Sequence, residues 1–243
     1  MTSALAKKQP GKSVEAPLAP KPLHTSRFPG ESDAYRAARD GLLRDEIELR
    51  RHIEQVAARR RGLPLGGPVP EDYLFEGESG PARMSDLFGR HDTLITYSYM
   101  FGPQRKRPCP SCTSMLSGLD GIIPDLAQRV AFVVVAKSPI EKLKAFKAER
   151  GWRNLRLVSS AGNSFNRDYF GELPDGSENP MHNVFVKRGD SICHFYGSEM
   201  GALPPDYGQD SRDGDSFWPL WGPLDLTPAG RGHDWMPELE YER

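Results

Sequence analysis

The 243-residue chain carries 32 Lys and Arg against 33 Asp and Glu, a formal net charge of −1, so no global field directs it to nucleic acid or to an anionic membrane. No apolar run approaches the ~20 residues of a membrane span, and the N-terminus, MTSALAKKQPGKSVEAPLAPKP, lacks the apolar core of a signal peptide. Three cysteines make no disulfide framework, and the expected compartment is the cytoplasm, where a Cys-x-x-Cys is catalytic or metal-binding rather than a permanent staple.

Residues 1–30 are rich in Pro, Lys, Ser and Ala and predict a disordered tail. Residues 31–63 form an extension. Across 33–61, Leu42, Leu43, Ile47, Leu49, Ile53 and Val56 recur at helical spacing among alternating charges, stopping at Gly62 and Pro64. An isolated helix is marginal in water, so this one is expected to pack on the main domain or on a second copy in a homodimer. Arg59, Arg60 and Arg61 read as a solvated helix end that complements the dipole.

Residues 64–243 hold the main domain. Tyr73-Leu74-Phe75 and Ala82-Arg83-Met84 flank a turn and predict a hairpin, followed by one helical turn at residues 85–89. Residues 93–101, rich in β-branched and aromatic side chains, predict a buried strand in which Tyr97 and Tyr99 share a core face. Cys109-Pro110-Ser111-Cys112 follows, and then Met115, Leu116, Leu119, Ile122, Ile123 and Leu126 mark a helical face. Gly118, Gly121 and Pro124 predict a break in that helix. VAFVVVA at residues 130–136 suits a strand covered on both faces. Ser138, Pro139 and Glu141 form a capping-box signature for a helix that Gly151 ends. Residues 155–159 predict a short strand, 160–181 an irregular stretch, and 183–187 with 191–196 a hairpin turning at Arg188-Gly189-Asp190. Residues 197–243, dense in Gly, Pro, Trp and Asp, show no helical period and predict a long loop region or lid.

A Cys-x-x-Cys where a strand hands over to a helix carries chemistry. The helix start has unpaired N–H groups and positive partial charge, which favour a thiolate, and Arg105, Lys106 and Arg107 precede it. Such surroundings bring a thiol from ~8.5 to roughly 3.5–7.5. Cys109 is thus the expected nucleophile and Cys112, one turn on, the resolving thiol. The alternatives are two structural thiols, or a zinc half-site completed by Cys193 with His194 or His182. Cys193 reads as a core residue, His182 and His194 as partly exposed strand or loop histidines. Asp120 reads as a solvated helix position, with a proton acceptor for Cys112 as the alternative. Trp218, Trp221 and Trp235 read as anchors of the tail or as a wall near the dithiol.

The element order is thioredoxin-like, and the leading hairpin, YLFEGESGPARMSDLF, resembles that of the peroxiredoxin branch. PEDYLFEG, YMFGP, CPSCTSMLSGLDG, FVVVAKSPIEKLKAFKAERGW and DLTPAGRG, from about residue 35 to residue 232, resemble a bacterial thioredoxin-like family catalogued as domain of unknown function 899, described as predicted dithiol–disulfide oxidoreductases. The resemblance implies an α/β thioredoxin-like, peroxiredoxin-branch sandwich with a central mixed sheet, an N-terminal helix extension and a long C-terminal loop region. Pro108 stands where thioredoxins usually carry Trp, and the peroxiredoxin Pro-x-x-x-Thr/Ser-x-x-Cys pattern is absent. Pro180 is the nearest counterpart of the thioredoxin cis-proline, separated from the predicted strand by Met181 and His182; with Pro110 and Ser111 it is a candidate substrate contact.

The leading expectation is a cytoplasmic thiol–disulfide oxidoreductase that needs no cofactor or metal. Its substrate is a disulfide-containing protein or small molecule, and an external dithiol resets it. The competing expectation is a thioredoxin-like binding module whose thiols hold a metal or a partner. Neither calls for nucleic acid or a membrane.

Overall fold

The structure, a computed structural model, describes residues 26–198, 218–232 and 235–242. Most of the tail expected over residues 1–30, and residues 199–217, 233–234 and 243 of the expected lid, lie outside the described residues. The chain divides into two units, Met1–Gly62 and Leu63–Arg243.

The first unit contains helix α1, Asp33–Arg61. Ser32 caps it by accepting the Tyr35 N–H at 3.1 Å, a contact worth about 1 kcal/mol over alanine. Arg36 is buried beside Glu31, Asp40 and the Phe28 ring, and Gly62 closes the last turn onto the carbonyls of residues 58–60. Within the apolar stripe Leu42, Leu49 and Ile53 are exposed, while Leu43, Ile47 and Val56 are half-buried.

The second unit is built on one mixed sheet. Its strands are β1 (Leu74–Gly77), β2 (Gly80–Arg83), β3 (Thr93–Ser98), β4 (Ala131–Ala136), β5 (Leu157–Ser159), β6 (Met181–Arg188) and β7 (Ser191–Gly197). They lie in the order β2-β1-β5-β4-β3-β6-β7. β3, β4 and β5 run parallel, and β6 returns antiparallel along β3. The helices are α2 (Met84–Leu87), α3 (Pro110–Asp120), α4 (Ile123–Leu126), α5 (Ile140–Arg150), α6 (Phe165–Asp168) and α7 (Trp221–Asp225).

The apolar run in β4 explains the two cores. Alternate residues of a strand point to opposite faces. Phe132, Val134 and Ala136 join Tyr97, Tyr99, Met115, Leu116 and Leu119 on one side of the sheet. Val133 and Val135 join Phe75, Leu94, Val158, Phe165 and Phe185 on the other. Full burial of each such Val or Phe contributes about 1.5–3 kcal/mol. Strand, Cys-x-x-Cys helix, parallel strand, helix, parallel strand and antiparallel hairpin form a thioredoxin-like α/β fold, with the β1–β2 hairpin added beyond β5.

Several details depart from the sequence reading. Ser138 does not cap α5: its hydroxyl is buried without a hydrogen-bond partner, its N–H goes to the Phe101 carbonyl at 3.0 Å, and Pro139 takes the cap position. The break expected in the dithiol helix does occur, at Gly121 between α3 and α4, but Gly118 takes no part in it, since α3 runs through that residue to Asp120. Gly118 instead admits the C-terminal segment, since a Cβ there would stand 2.6 Å from Pro219 Cγ. Asp120 is not a free solvated carboxylate. It accepts the N–H groups of Arg153 at 3.1 Å and of Asn154 and Leu155 at 2.9 Å, which hold its pKa down despite some burial. The C-terminal region is not wholly loop, because α7 forms at Trp221. Among the described residues no helix is long and apolar enough to cross a membrane.

Candidate functional site

Cys109 is the N-cap of α3, extended at φ −60° and ψ 125°, with Pro110 at the first helical position. Proline suits that place because its missing N–H is one the helix start leaves unpaired anyway. The turn that follows carries Cys112 to the inner face of α3, buried in the core with Met115 and Leu116. Cys109 stays partly exposed, and all three cysteines are free.

The two thiols divide one proton unequally. The Cys112 thiol donates to the Cys109 sulfur, and this is the largest influence lowering Cys109 to about 6. Partial burial opposes it. The N–H groups of Cys112 and Ser111 at the open end of α3 and the charge of Arg105 add to the lowering. Cys112 is pushed well above the ordinary thiol value, first because its proton is engaged by Cys109 and then by burial and by the charge of that thiolate. The Tyr97 hydroxyl and the Met100 N–H pull the other way.

The surrounding polar contacts fix this geometry. Thr113 Oγ1 donates to the Cys109 carbonyl at 2.8 Å and accepts from the Tyr99 hydroxyl at 2.7 Å. The Cys109 N–H goes to the Met100 carbonyl at 3.1 Å. Arg105 pairs with Glu178, and Lys142 donates to the Arg105 carbonyl. Arg107 is engaged elsewhere, by Glu149 at 2.6 Å and Glu240 at 3.1 Å. Alternation in the strand gave Tyr97 and Tyr99 as core residues, and both are buried. That their hydroxyls reach the dithiol helix is legible only from the packing of α3 on β3.

The candidate contact residues lie as follows. Pro110 is exposed and Ser111 half-buried between the thiols. Pro180 is exposed and directly precedes β6; the strand starts two residues earlier than its sequence pattern indicated. Met181 pairs with Ser98, so Pro180 stands at the carboxyl end of β3, from which the dithiol loop departs. Among the described residues no peptide bond is cis.

The remaining candidates are brought elsewhere. His182 is buried rather than partly exposed, its ring 4.7 Å from that of Tyr97. His194 bonds Asn183 Oδ1 at 2.9 Å and stacks on Tyr169. Cys193 is half-buried on β7, paired with Val186 and bridged to Pro68. No three His, Cys, Asp or Glu side chains converge as a metal site among the described residues. Trp218 packs on the dithiol-side core and donates to Ser114 Oγ at 3.4 Å. Trp221 is buried 4.9 Å from Trp218 and 6.1 Å from Trp235. Arg150 fastens the chain end through the Leu239 carbonyl at 2.9 Å.

A mixed sheet of this topology with a Cys-x-x-Cys opening the helix after β3 defines a thioredoxin-like protein. Residues 25–242 match the model of the family described as bacterial protein of unknown function (DUF899), and the chain belongs to that family. No curated protein matches it. Among solved structures it is similar to the peroxidoxin BcpB of Mycobacterium tuberculosis, with 20% identity, 58% of this chain and 92% of that one covered, and a TM-score of 0.41. It is also similar to a peroxiredoxin-like protein of Aquifex aeolicus, at 15% identity, 56% and 75% coverage and a TM-score of 0.40. A third is the exposed lipoprotein thioredoxin Etrx1 of Streptococcus pneumoniae, at 16% identity, 51% and 87% coverage and a TM-score of 0.38.

Proposed function

We propose that the chain is a cytoplasmic thiol–disulfide oxidoreductase. The observation that carries this reading is the placement of one thiol pair: Cys109 stands partly exposed at the open start of α3 and Cys112 is buried one turn on, an arrangement that lowers the first thiol to about 6 and raises the second. At neutral pH the outer sulfur is then a thiolate, the form that attacks disulfides. The inner sulfur keeps its proton until a mixed disulfide removes the negative charge beside it.

The reaction balances without a cofactor. The Cys109 thiolate attacks a substrate disulfide, forming a Cys109–substrate bond and releasing one substrate thiolate. Cys112 loses its proton and attacks the Cys109 sulfur, releasing the second. The protein pair is oxidised by two electrons and the substrate reduced to two thiols; an external dithiol reverses the change in the protein. Pro110, Ser111 and Pro180 are the exposed or half-buried residues nearest in sequence and register to receive the substrate.

Redox titration with thiol quantification in metal-free buffer tests the reading. The expected result is a reversible two-electron couple confined to Cys109 and Cys112. Stoichiometric zinc with no couple would overturn it in favour of a binding module.

A further inference from the structure

Along the loop that leads from β3 to the dithiol, and lined by neither cysteine, lies an open cavity of about 590 Å³, within the range of about 300–1,000 Å³ in which proteins hold small molecules. Met100 and residues 102–105 form part of its lining, and Lys137 with residues 176–178 another part. The loop after β3 and the first residue after β4 thus both border it. In open α/β sheets, ligands bind outside these carboxyl ends of strands. Two ties join the cavity to the site. The Met100 carbonyl holds the Cys109 N–H, and the charge of Arg105 reaches the Cys109 sulfur.

The two ion pairs at the cavity leave N–H donors unspent. Glu172 and Glu178 face each other across a short antiparallel bridge. Glu178 takes the Nε of Arg105, and Glu172 takes the Nζ of Lys137. An arginine offers five N–H donors and a lysine three, so each pairing leaves donors over. The cationic side chains remain 38% and 31% exposed, against 18% and 13% for their glutamates. An incoming ligand therefore meets the cations first. Glu178 is also wedged against Gly102, where a Cβ would stand 2.8 Å from its Oε1.

We propose that this cavity receives the carboxylate end of a small disulfide, with Arg105 and Lys137 holding the carboxylate while Cys109 attacks the S–S bond. The proposal rests on the dithiol reading above and adds the substrate class: low-molecular-weight disulfides with a carboxylate on each half. The bonds made and broken are those already given, the small disulfide leaving as two carboxylate-bearing thiols.

Single-turnover oxidation of the fully reduced chain by three disulfides of similar size tests this. These are dithiodipropionate with two carboxylates, hydroxyethyl disulfide with none, and cystamine with two ammonium groups. The expected order is dithiodipropionate about tenfold faster than hydroxyethyl disulfide, the scale of a charge-assisted contact, with cystamine slowest. Lys137→Gln should reduce the ratio of the first two rates about fivefold, and Lys137→Arg should keep it. Lys144→Gln, exposed on α5 beside Glu141, should leave the ratio unchanged. Each ratio is internal to one protein, so a loss of folded fraction does not alter it. Equal rates with the first two disulfides, or equal effects of the Lys137 and Lys144 variants, would overturn the cavity assignment while leaving dithiol exchange intact. Failure of all three disulfides to oxidise the protein would overturn the dithiol reading itself, and the substrate class with it.

Discussion

Tyr97, on the central strand, and Cys112, on the helix packed above it, lie in one core cluster, and the Tyr97 hydroxyl favours the Cys112 thiolate against burial and against the charge of Cys109. Resolution of a mixed disulfide needs this thiolate, so Tyr97 is a positioning residue for the second chemical step. Hydrogen bonds to charged groups contribute about 1.5–3 kcal/mol, and about 1.4 kcal/mol is tenfold in rate. Tyr97→Phe should therefore slow release of the second product about ten- to a hundredfold and leave formation of the mixed disulfide nearly unchanged. Rapid-quench mass spectrometry separates the two steps; equal slowing of both would remove the assigned role.

The pH dependence follows from Cys109. Its folded-state value, about 6, lies below the ordinary thiol value of 9.0. The thiolate therefore stabilises the folded, reduced protein fully above that ordinary value, and the contribution is lost as pH falls toward about 6. Under reducing conditions, Cys109→Ser should lower Tm relative to the parent at about pH 9 and converge with it at about pH 5. Iodoacetamide should label Cys109 with a midpoint near about 6, ahead of Cys112. A constant Tm difference across this range, or first labelling at Cys112, would contradict the assignment.

The parts of the site that were legible in sequence are those fixed by local rules. Cys109 had to open a helix, because Pro110 suits its first position and the apolar spacing begins at Cys112. β4 had to be buried on both faces, because no polar residue interrupts it. Contacts made across the sheet had no local signal. Tyr97 reaches Cys112 and Tyr99 reaches Thr113 only because α3 lies on β3. Glu178, distant in sequence, meets Arg105 only because β6 returns along β3. Ser138 shows a local rule losing to a tertiary one: its capping signature is intact, but its N–H is taken by Phe101 and its side chain is buried.

Asp120 separates a structural carboxylate from a catalytic one. It sits eight residues beyond Cys112 on the same helix, yet its oxygens receive three successive backbone N–H groups of residues 153–155. Asp120→Ala leaves those donors without their acceptor and should cost about 1–3 kcal/mol of stability. The alkylation pH profile of Cys109 and the rate of resolution should be unchanged in the protein that remains folded. Denaturant titration alongside thiol labelling checks both; a slowed resolving step with unaltered stability would restore Asp120 as a proton acceptor.

The most direct test of the division of labour is covalent trapping. Cys109 is partly exposed and favours the thiolate, whereas Cys112 is buried and keeps its proton. Attack and resolution therefore belong to different sulfurs. Replacing Cys112 with serine removes resolution while nearly preserving side-chain size within the core of Met115 and Leu116. It also removes the S–H donor that most lowers Cys109; the serine hydroxyl and the N–H groups at the helix start still favour the thiolate. Cys112→Ser should thus accumulate mixed disulfides with cellular partners that vanish on reduction, and Cys109→Ser should trap far fewer. Both variants should lose turnover, while Cys193→Ser should keep most of it, because Cys193 lies on β7, paired with Val186 and Pro68. A module that merely holds a metal or a partner gives no reason for Cys109 and Cys112 to differ. Non-reducing gels with mass spectrometry read the result, and equal trapping by both variants, or adducts carried on Cys193, would defeat the mechanism.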